Sequence, residues 1–155
     1  MNNQSQIQQA DNTPIRRRSA STAQLVSVII DSILDKKGER VVSMNLSNLS
    51  DAMTDYFVIC EANSPTQVRA IADHIEEKVQ QALQMRINHI EGIDTAEWVL
   101  VDYFDVMVHI FLREKRELFA LEELWADAAT TTEYNEDGST KYITEPQTTP
   151  KRRKK

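Results

Sequence analysis

The side chains with the most chemistry to offer are Asp102 and Asp105, Ser64, the lone Cys60, and the histidines His74, His89 and His109. Carboxylates on adjacent strands, with a serine at the start of a helix, would suit a metal-dependent nucleotidyl transferase. The carboxylates would hold the metal, and the helix turn would cradle the triphosphate. Such a turn needs glycine for the backbone to approach a phosphate closely. Here it reads Ala62-Asn63-Ser64-Pro65, with no glycine and no Asp-x-Asp pair after it. Asp102 and Asp105 read better as turn residues, which tolerate local bonds to the backbone. The histidines show no HxxxH or HxH spacing and the single cysteine forms no CxxC, so no metal site and no cofactor are expected. His109 stands among apolar strand residues and reads as a satisfied structural or interface histidine. A single cysteine forms no intrachain disulfide, which favours a reducing compartment; Cys60 reads as a buried structural thiol in a cytoplasmic protein.

Charge separates a folded unit from its tails. Residues 20–129 carry 9 Lys+Arg against 19 Asp+Glu, a net of −10, while residues 1–19 and 130–155 each carry +2. A domain this acidic repels phosphate backbones, so it is not expected to bind a specific nucleic acid; it is steered instead toward a basic protein surface. No run approaches the roughly 18 apolar residues that span a bilayer, so no membrane contact is expected. Residues 1–19 are polar and end near Arg16-Arg17-Arg18 without an apolar segment, which reads as a disordered tail rather than a signal peptide. The domain is expected over 20–128. Residues 129–155 read as a mostly disordered tail with a basic, solubilising end at Lys151–Lys155, and with a weak local strand around Tyr142 and Ile143 beyond the Asp137-Gly138 turn.

The elements that must position these groups follow from periodicity. Leu25, Val28, Ile29 and Ile33 form a helical stripe opened by a Ser21–Gln24 capping box and stopped by a left-handed Gly38. Arg40–Leu46 alternates as an edge-capable strand, and Tyr56–Cys60 is apolar throughout, as in a central strand. Ser64 caps a helix with Pro65 in its first turn and a stripe of Val68, Ile71, Ile75, Val79 and Leu83. Arg86–Glu91 is a short strand. Trp98–Asp102 and Val106–Leu112 then form an antiparallel hairpin, followed by a helix whose stripe is Leu118, Leu121 and Trp125, with Phe119 off that stripe. The order is α-β-β-α-β-β-β-α, a mixed-sheet α/β fold with helices mainly on one side.

If Tyr103-Phe104 is the hairpin turn, Val99, Val101, Val106, Val108 and Ile110 share one face, which is plain core. The other face carries Trp98, Leu100, Met107, His109 and Phe111. An aromatic, Met-rich face with a histidine has the composition of an interface, and also that of an ordinary core.

These residues carry a resemblance. Asp55–Cys60, Ile71–His74, Glu91-Gly92, Ala96–Asp102, Asp105–Phe111 and Arg116–Trp125 with its Leu121-Glu-Glu-Leu-Trp125 together resemble the ribosomal silencing factor (RsfS, Iojap or YbeB) family over about residues 22–127. The resemblance implies a nucleotidyltransferase-like fold that lacks the catalytic residues, and hence no enzyme. It implies binding to ribosomal protein fourteen on the intersubunit face of the large ribosomal subunit, a block on joining with the small subunit, and lower translation when nutrients are short. It implies contact through Trp98 and Phe119. With the aromatic face and a rim charge, the expected partner-binding set is Trp98, Leu100, Met107, His109, Phe111, Arg116 and Phe119. A homodimer of the free protein is left open. One departure stands out: the family usually has glycine before the hairpin aspartate, where this chain has Phe104.

Overall fold

The computed structural model describes residues 21–49, 52–125 and 130–144. Helix α1 (Thr22–Asp35) is followed by strands β1 (Glu39–Asn45) and β2 (Tyr56–Ala62), helix α2 (Pro65–Leu83) and strands β3 (His89–Glu91), β4 (Trp98–Asp102) and β5 (Val106–Leu112). Two short helices come next, α3 (Arg113–Phe119) and α4 (Leu121–Leu124), and then a hairpin of β6 (Thr130–Tyr134) and β7 (Thr140–Thr144). The strands form one sheet in the order β3-β4-β5-β2-β1-β6-β7, in which β2 and β5 run parallel and every other pair is antiparallel. It is a mixed α/β architecture.

Local chemistry sets the helix ends. Ser21 Oγ accepts from the Gln24 amide while Gln24 Oε1 accepts from the Ser21 amide, the reciprocal box read from the sequence. Ser64 Oγ accepts from the Gln67 amide at the start of α2, with Pro65 in the first turn. The stop of α1 differs in detail. The left-handed residue is Lys37 (φ +60°). The Gly38 amide donates to the Ile33 carbonyl and the Lys37 amide to that of Leu34, a Schellman closure. Gly38 is needed for space: a Cβ there would lie 2.4 Å from Ile33 Cγ2.

Helices α1 and α2 lie side by side on one face of the sheet. Leu25, Ile29, Ile33, Val68, Ile71, Ile75 and Val79 pack there on Val58, Val99, Val101, Val106, Val108 and Ile110. These are mostly β-branched side chains, which fit a pleated surface and lose little freedom on burial. Cys60 is buried in this layer, and burial pushes its thiol up to about 12, so it stays protonated and inert.

Three expectations are corrected. Strand β1 is not at an edge, because β6 pairs with it from Val41↔Tyr134 to Asn45↔Thr130. Correspondingly, residues 130–144 are not a disordered tail. Thr and Tyr favour strands, Asn135–Gly138 turns them back, and the buried Ser43 hydroxyl bonds the Tyr134 hydroxyl at 3.0 Å. The last helix is broken at Ala120, which is left-handed (φ +45°) and divides α3 from α4. That break rotates the stripe apart: Leu118 is 70% exposed, whereas Leu121 and Trp125 rest against the sheet. Of the expected tails, residues 1–19 lie outside the described residues, and so does all of 129–155 except the hairpin at 130–144.

Candidate partner-binding face

Among the described residues, no long helix lies over the sheet's second face. Its floor is Val42, Met44, Phe57, Ile59 and Phe111, with Trp98, Met107, Leu121 and Trp125 packed around them. The hairpin that builds it is shifted by one residue at the turn. Pairs run from Trp98↔Phe111 to Asp102↔Met107, and the Tyr103 amide donates to the Val106 carbonyl, so the turn centres on Phe104-Asp105 rather than Tyr103-Phe104. Both turns leave the same residues on the same faces, because moving the turn by one residue shifts the pairing by two positions and side chains alternate with a period of two. Trp98, Leu100, Met107, His109 and Phe111 therefore do share this face.

Trp98 is positioned from three sides. Its ring lies over Phe111 (centroids 5.1 Å apart) and against Phe119 of α3 (4.7 Å). Its indole N–H donates to His109 Nδ1 at 3.0 Å. The preceding loop folds back onto its backbone at Gly92, whose φ is +86° and where a Cβ would lie 2.0 Å from the Trp98 carbonyl oxygen. Gly92 allows this conformation because it has no side chain.

His109 is 5% exposed; accepting at Nδ1 places its proton on Nε2, which is buried without a hydrogen-bond partner. Phe57 meets the imidazole edge-on at 4.8 Å. Burial lowers the His109 pKa to about 4, so the ring is neutral at physiological pH. By accepting the Trp98 indole N–H, the ring orients Trp98.

The seven expected contact residues separate by exposure. Trp98, Leu100 and Met107 are half-buried and Phe119 is exposed, so these four keep accessible side-chain surface. His109 and Phe111 are buried and support them from below. Arg116 is not a rim charge: its side chain is 3% exposed and bonds within the molecule, so it has no free donor face for a partner. The sequence reading also missed its carboxylate, Glu61, which is equally buried. The signal was present. The apolar run continues past Cys60, and Glu61 falls on the same strand face as Phe57 and Ile59.

The transferase alternative fails on position. Ser64 follows the end of β2, where Ala62 pairs with Leu112. Asp105 precedes Val106, which pairs with Tyr56 at the opposite end. Six strand steps of about 3.3 Å separate them by roughly 20 Å, too far to share one triphosphate. Asp102 accepts the Phe104 amide at 2.7 Å, the turn role expected of it. Among the described residues, no three of His, Cys, Asp and Glu gather where they could hold a metal, and no helix is long and apolar enough to cross a membrane.

Comparison with known proteins agrees with this arrangement. Residues 19–155 match the family described as ribosomal silencing factor during starvation. A ribosomal silencing factor of Halalkalibacterium halodurans is 42% identical over 110 residues, covering 71% of this chain and 92% of that protein. One from Bacillus subtilis is 40% identical over 61% of this chain and 78% of its own length. More distantly, a mouse protein named mitochondrial assembly of ribosomal large subunit protein 1 is 37% identical over 75 residues, 46% of this chain and 32% of that protein. A crystal structure from Chromobacterium violaceum superposes with a TM-score of 0.66 at 29% identity, over 69% of this chain and 88% of that one. With its mixed sheet, its uncovered aromatic face and these relatives, the chain belongs to the ribosomal silencing factor family, whose members are ribosome-associated regulators of translation.

Proposed function

We propose that this protein silences ribosomes without catalysis. It docks the face around Trp98 on ribosomal protein fourteen of the large subunit, and so keeps the small subunit from joining. The observation that carries this reading is the Trp98–Phe119 ring pair, standing at the surface beside Leu100 and Met107 on the uncovered side of the sheet. An aromatic anchor ringed by half-buried apolar groups is what a protein hot spot requires. The net charge of −10 over residues 20–129 complements a basic ribosomal protein and disfavours RNA as the primary contact. The large-subunit role named for the mouse relative points to the same particle. The binding unit is the whole sheet with its helices, the β6–β7 hairpin included, and the compartment is the cytoplasm, where translation is lowered when nutrients are short.

Sucrose-gradient sedimentation with purified subunits tests this. The protein should travel with the large subunit, be absent from joined ribosomes, and reduce the joined fraction when added beforehand. Migration with the small subunit, or unimpaired joining at saturating protein, would overturn the proposal.

A further inference from the structure

An ion cluster beside the aromatic face centres on one buried carboxylate and one buried guanidinium, those of Glu61 and Arg116. The Glu61 carboxylate, on β2, accepts from Arg40 Nη1 at 3.1 Å, Arg113 Nε at 3.1 Å and Arg116 Nη1 at 3.3 Å. Arg113 also pairs with Glu39. Arg116 reaches furthest. From its place in α3 it also donates through Nη1 to the Arg40 carbonyl at 2.6 Å, and through Nε to Glu122 of α4 at 2.7 Å. The Arg40 carbonyl is available because β1 bulges there, with Arg40 at φ +47°. One guanidinium therefore ties together β1, β2, α3 and α4. Its planar fork suits this better than a lysine's single ammonium.

Helix α3 depends on such a tie. It has seven residues, no side-chain bond at its N-cap, and a left-handed break after Phe119. A helix this short has little stability of its own in water. Its Leu118 is exposed, and beyond the ion cluster its side-chain hold on the sheet includes a 3.8 Å Lys115–Glu97 pair and the Phe119 ring itself. Phe119 sits three residues beyond Arg116, one helical turn along. Fixing Arg116 therefore fixes where the Phe119 ring meets Trp98.

We infer that Arg116, held by Glu61, is a positioning residue that presets Phe119 against Trp98 and so pre-forms the partner-binding surface. A surface ordered in advance does not lose that ordering entropy on binding. The inference rests on the proposed docking face, and one readout below is independent of it.

Arg116→Gln, Phe119→Ala and the double variant are compared with the wild type, at a temperature where near-ultraviolet circular dichroism shows each to be folded. In the free protein, the Trp98 indole N–H resonance should move in Arg116→Gln toward its place in Phe119→Ala, while the Trp125 indole serves as control. In co-sedimentation with large subunits, both single variants should weaken binding about tenfold, and the double variant should bind no worse than the weaker single one. A merely structural arginine would lower the melting temperature, leave the Trp98 resonance in place, and give additive losses; that result would overturn the inference. If Arg116→Gln does not fold, Glu122→Ala takes its place, because it removes the acceptor of the α4 tie and leaves Glu61 paired. It should weaken binding a few fold, again without adding to Phe119→Ala, and additivity would be decisive against the role. Should the Trp98 resonance move as expected while no variant changes subunit binding, the docking face is wrong and the positioning of Phe119 stands.

Discussion

One hairpin builds two unlike surfaces. On the side facing α1 and α2, β4 and β5 present Val99, Val101, Val106, Val108 and Ile110, all fully buried beneath two long helices. On the other side the alternate residues of the same strands are Trp98, Leu100, Met107, His109 and Phe111, covered only in part by two short helices. The aliphatic side obtains its order from packing. The aromatic side obtains it from directional contacts: an indole N–H on an imidazole, rings at an angle, and guanidiniums on a buried carboxylate. Directional contacts fix orientation while leaving area uncovered, which suits a surface awaiting a partner.

Substitutions should separate the two sides, and the largest loss of stability should come from the sealed one. Ile110→Ala removes a side chain with no exposed surface and leaves a cavity, so it should cost about 2–5 kcal/mol of unfolding free energy. Urea titration reads this directly, and binding of the folded fraction to large subunits should be unchanged. Trp98→Ala should show the reverse balance. Binding should fall by about 2–4 kcal/mol, the cost of deleting an aromatic anchor. Its effect on the urea midpoint should be smaller than that of Ile110→Ala, because the Trp98 ring is only half-buried. A Trp98→Ala protein less stable than Ile110→Ala, with normal binding once folded, would make Trp98 a core residue.

Acid should also tell the faces apart, since the open side holds a buried neutral histidine. The His109 pKa lies near 4 in the folded chain, below the ordinary value of 6.5 expected when unfolded. Between those values the unfolded chain binds the extra proton, so this contribution is complete above the unfolded pKa and is lost as pH falls toward the folded one. From neutral pH to about pH 5, wild type should lose about 2 kcal/mol more than His109→Gln, which has no such proton to take up. Paired urea titrations at the two pH values check it; equal losses would show that His109 is protonated in the fold.

Much of this contrast was legible in the sequence. The division of the hairpin into a valine-rich face and an aromatic one follows from a period of two, and it survived a turn placed one residue early. The helix stripes of α1 and α2 followed from spacing and caps. What was not legible came from contacts far apart in the chain. Arg116 looked like a surface charge because Glu61 stands 55 residues away and only the fold brings them together. The break at Ala120 was hidden because alanine is a strong helix former, and tertiary packing overrode that preference. The β6–β7 hairpin is only weakly marked in the sequence because its strands are threonine-rich and polar, and their partner, β1, lies far back in the chain.

The smallest expected effect concerns the hairpin's tip, at the far end of β4 from Trp98. Phe104 adopts φ +68°, a region in which an L side chain crowds its own backbone, and its ring is 67% exposed. Phenylalanine there carries a strain of about 1–2 kcal/mol that glycine would not. Glycine also gains freedom in the unfolded chain, which offsets about 0.5–1 kcal/mol of that relief. Phe104→Gly should therefore stabilise the domain by roughly 0.5–1 kcal/mol, whereas Phe104→Ala, which keeps the Cβ and the strain, should stabilise nothing. Urea midpoints for the two variants give the comparison. Large-subunit binding completes it. If the docking surface is the Trp98–Phe119 end of the face, removing the Phe104 ring should leave affinity unchanged even as the fold becomes firmer. Binding that weakens equally in Phe104→Gly and Phe104→Ala would extend the contact along the whole hairpin to its tip. Binding that weakens in Phe104→Gly alone would show that the strained turn itself holds β4 and β5 in the register that the partner meets.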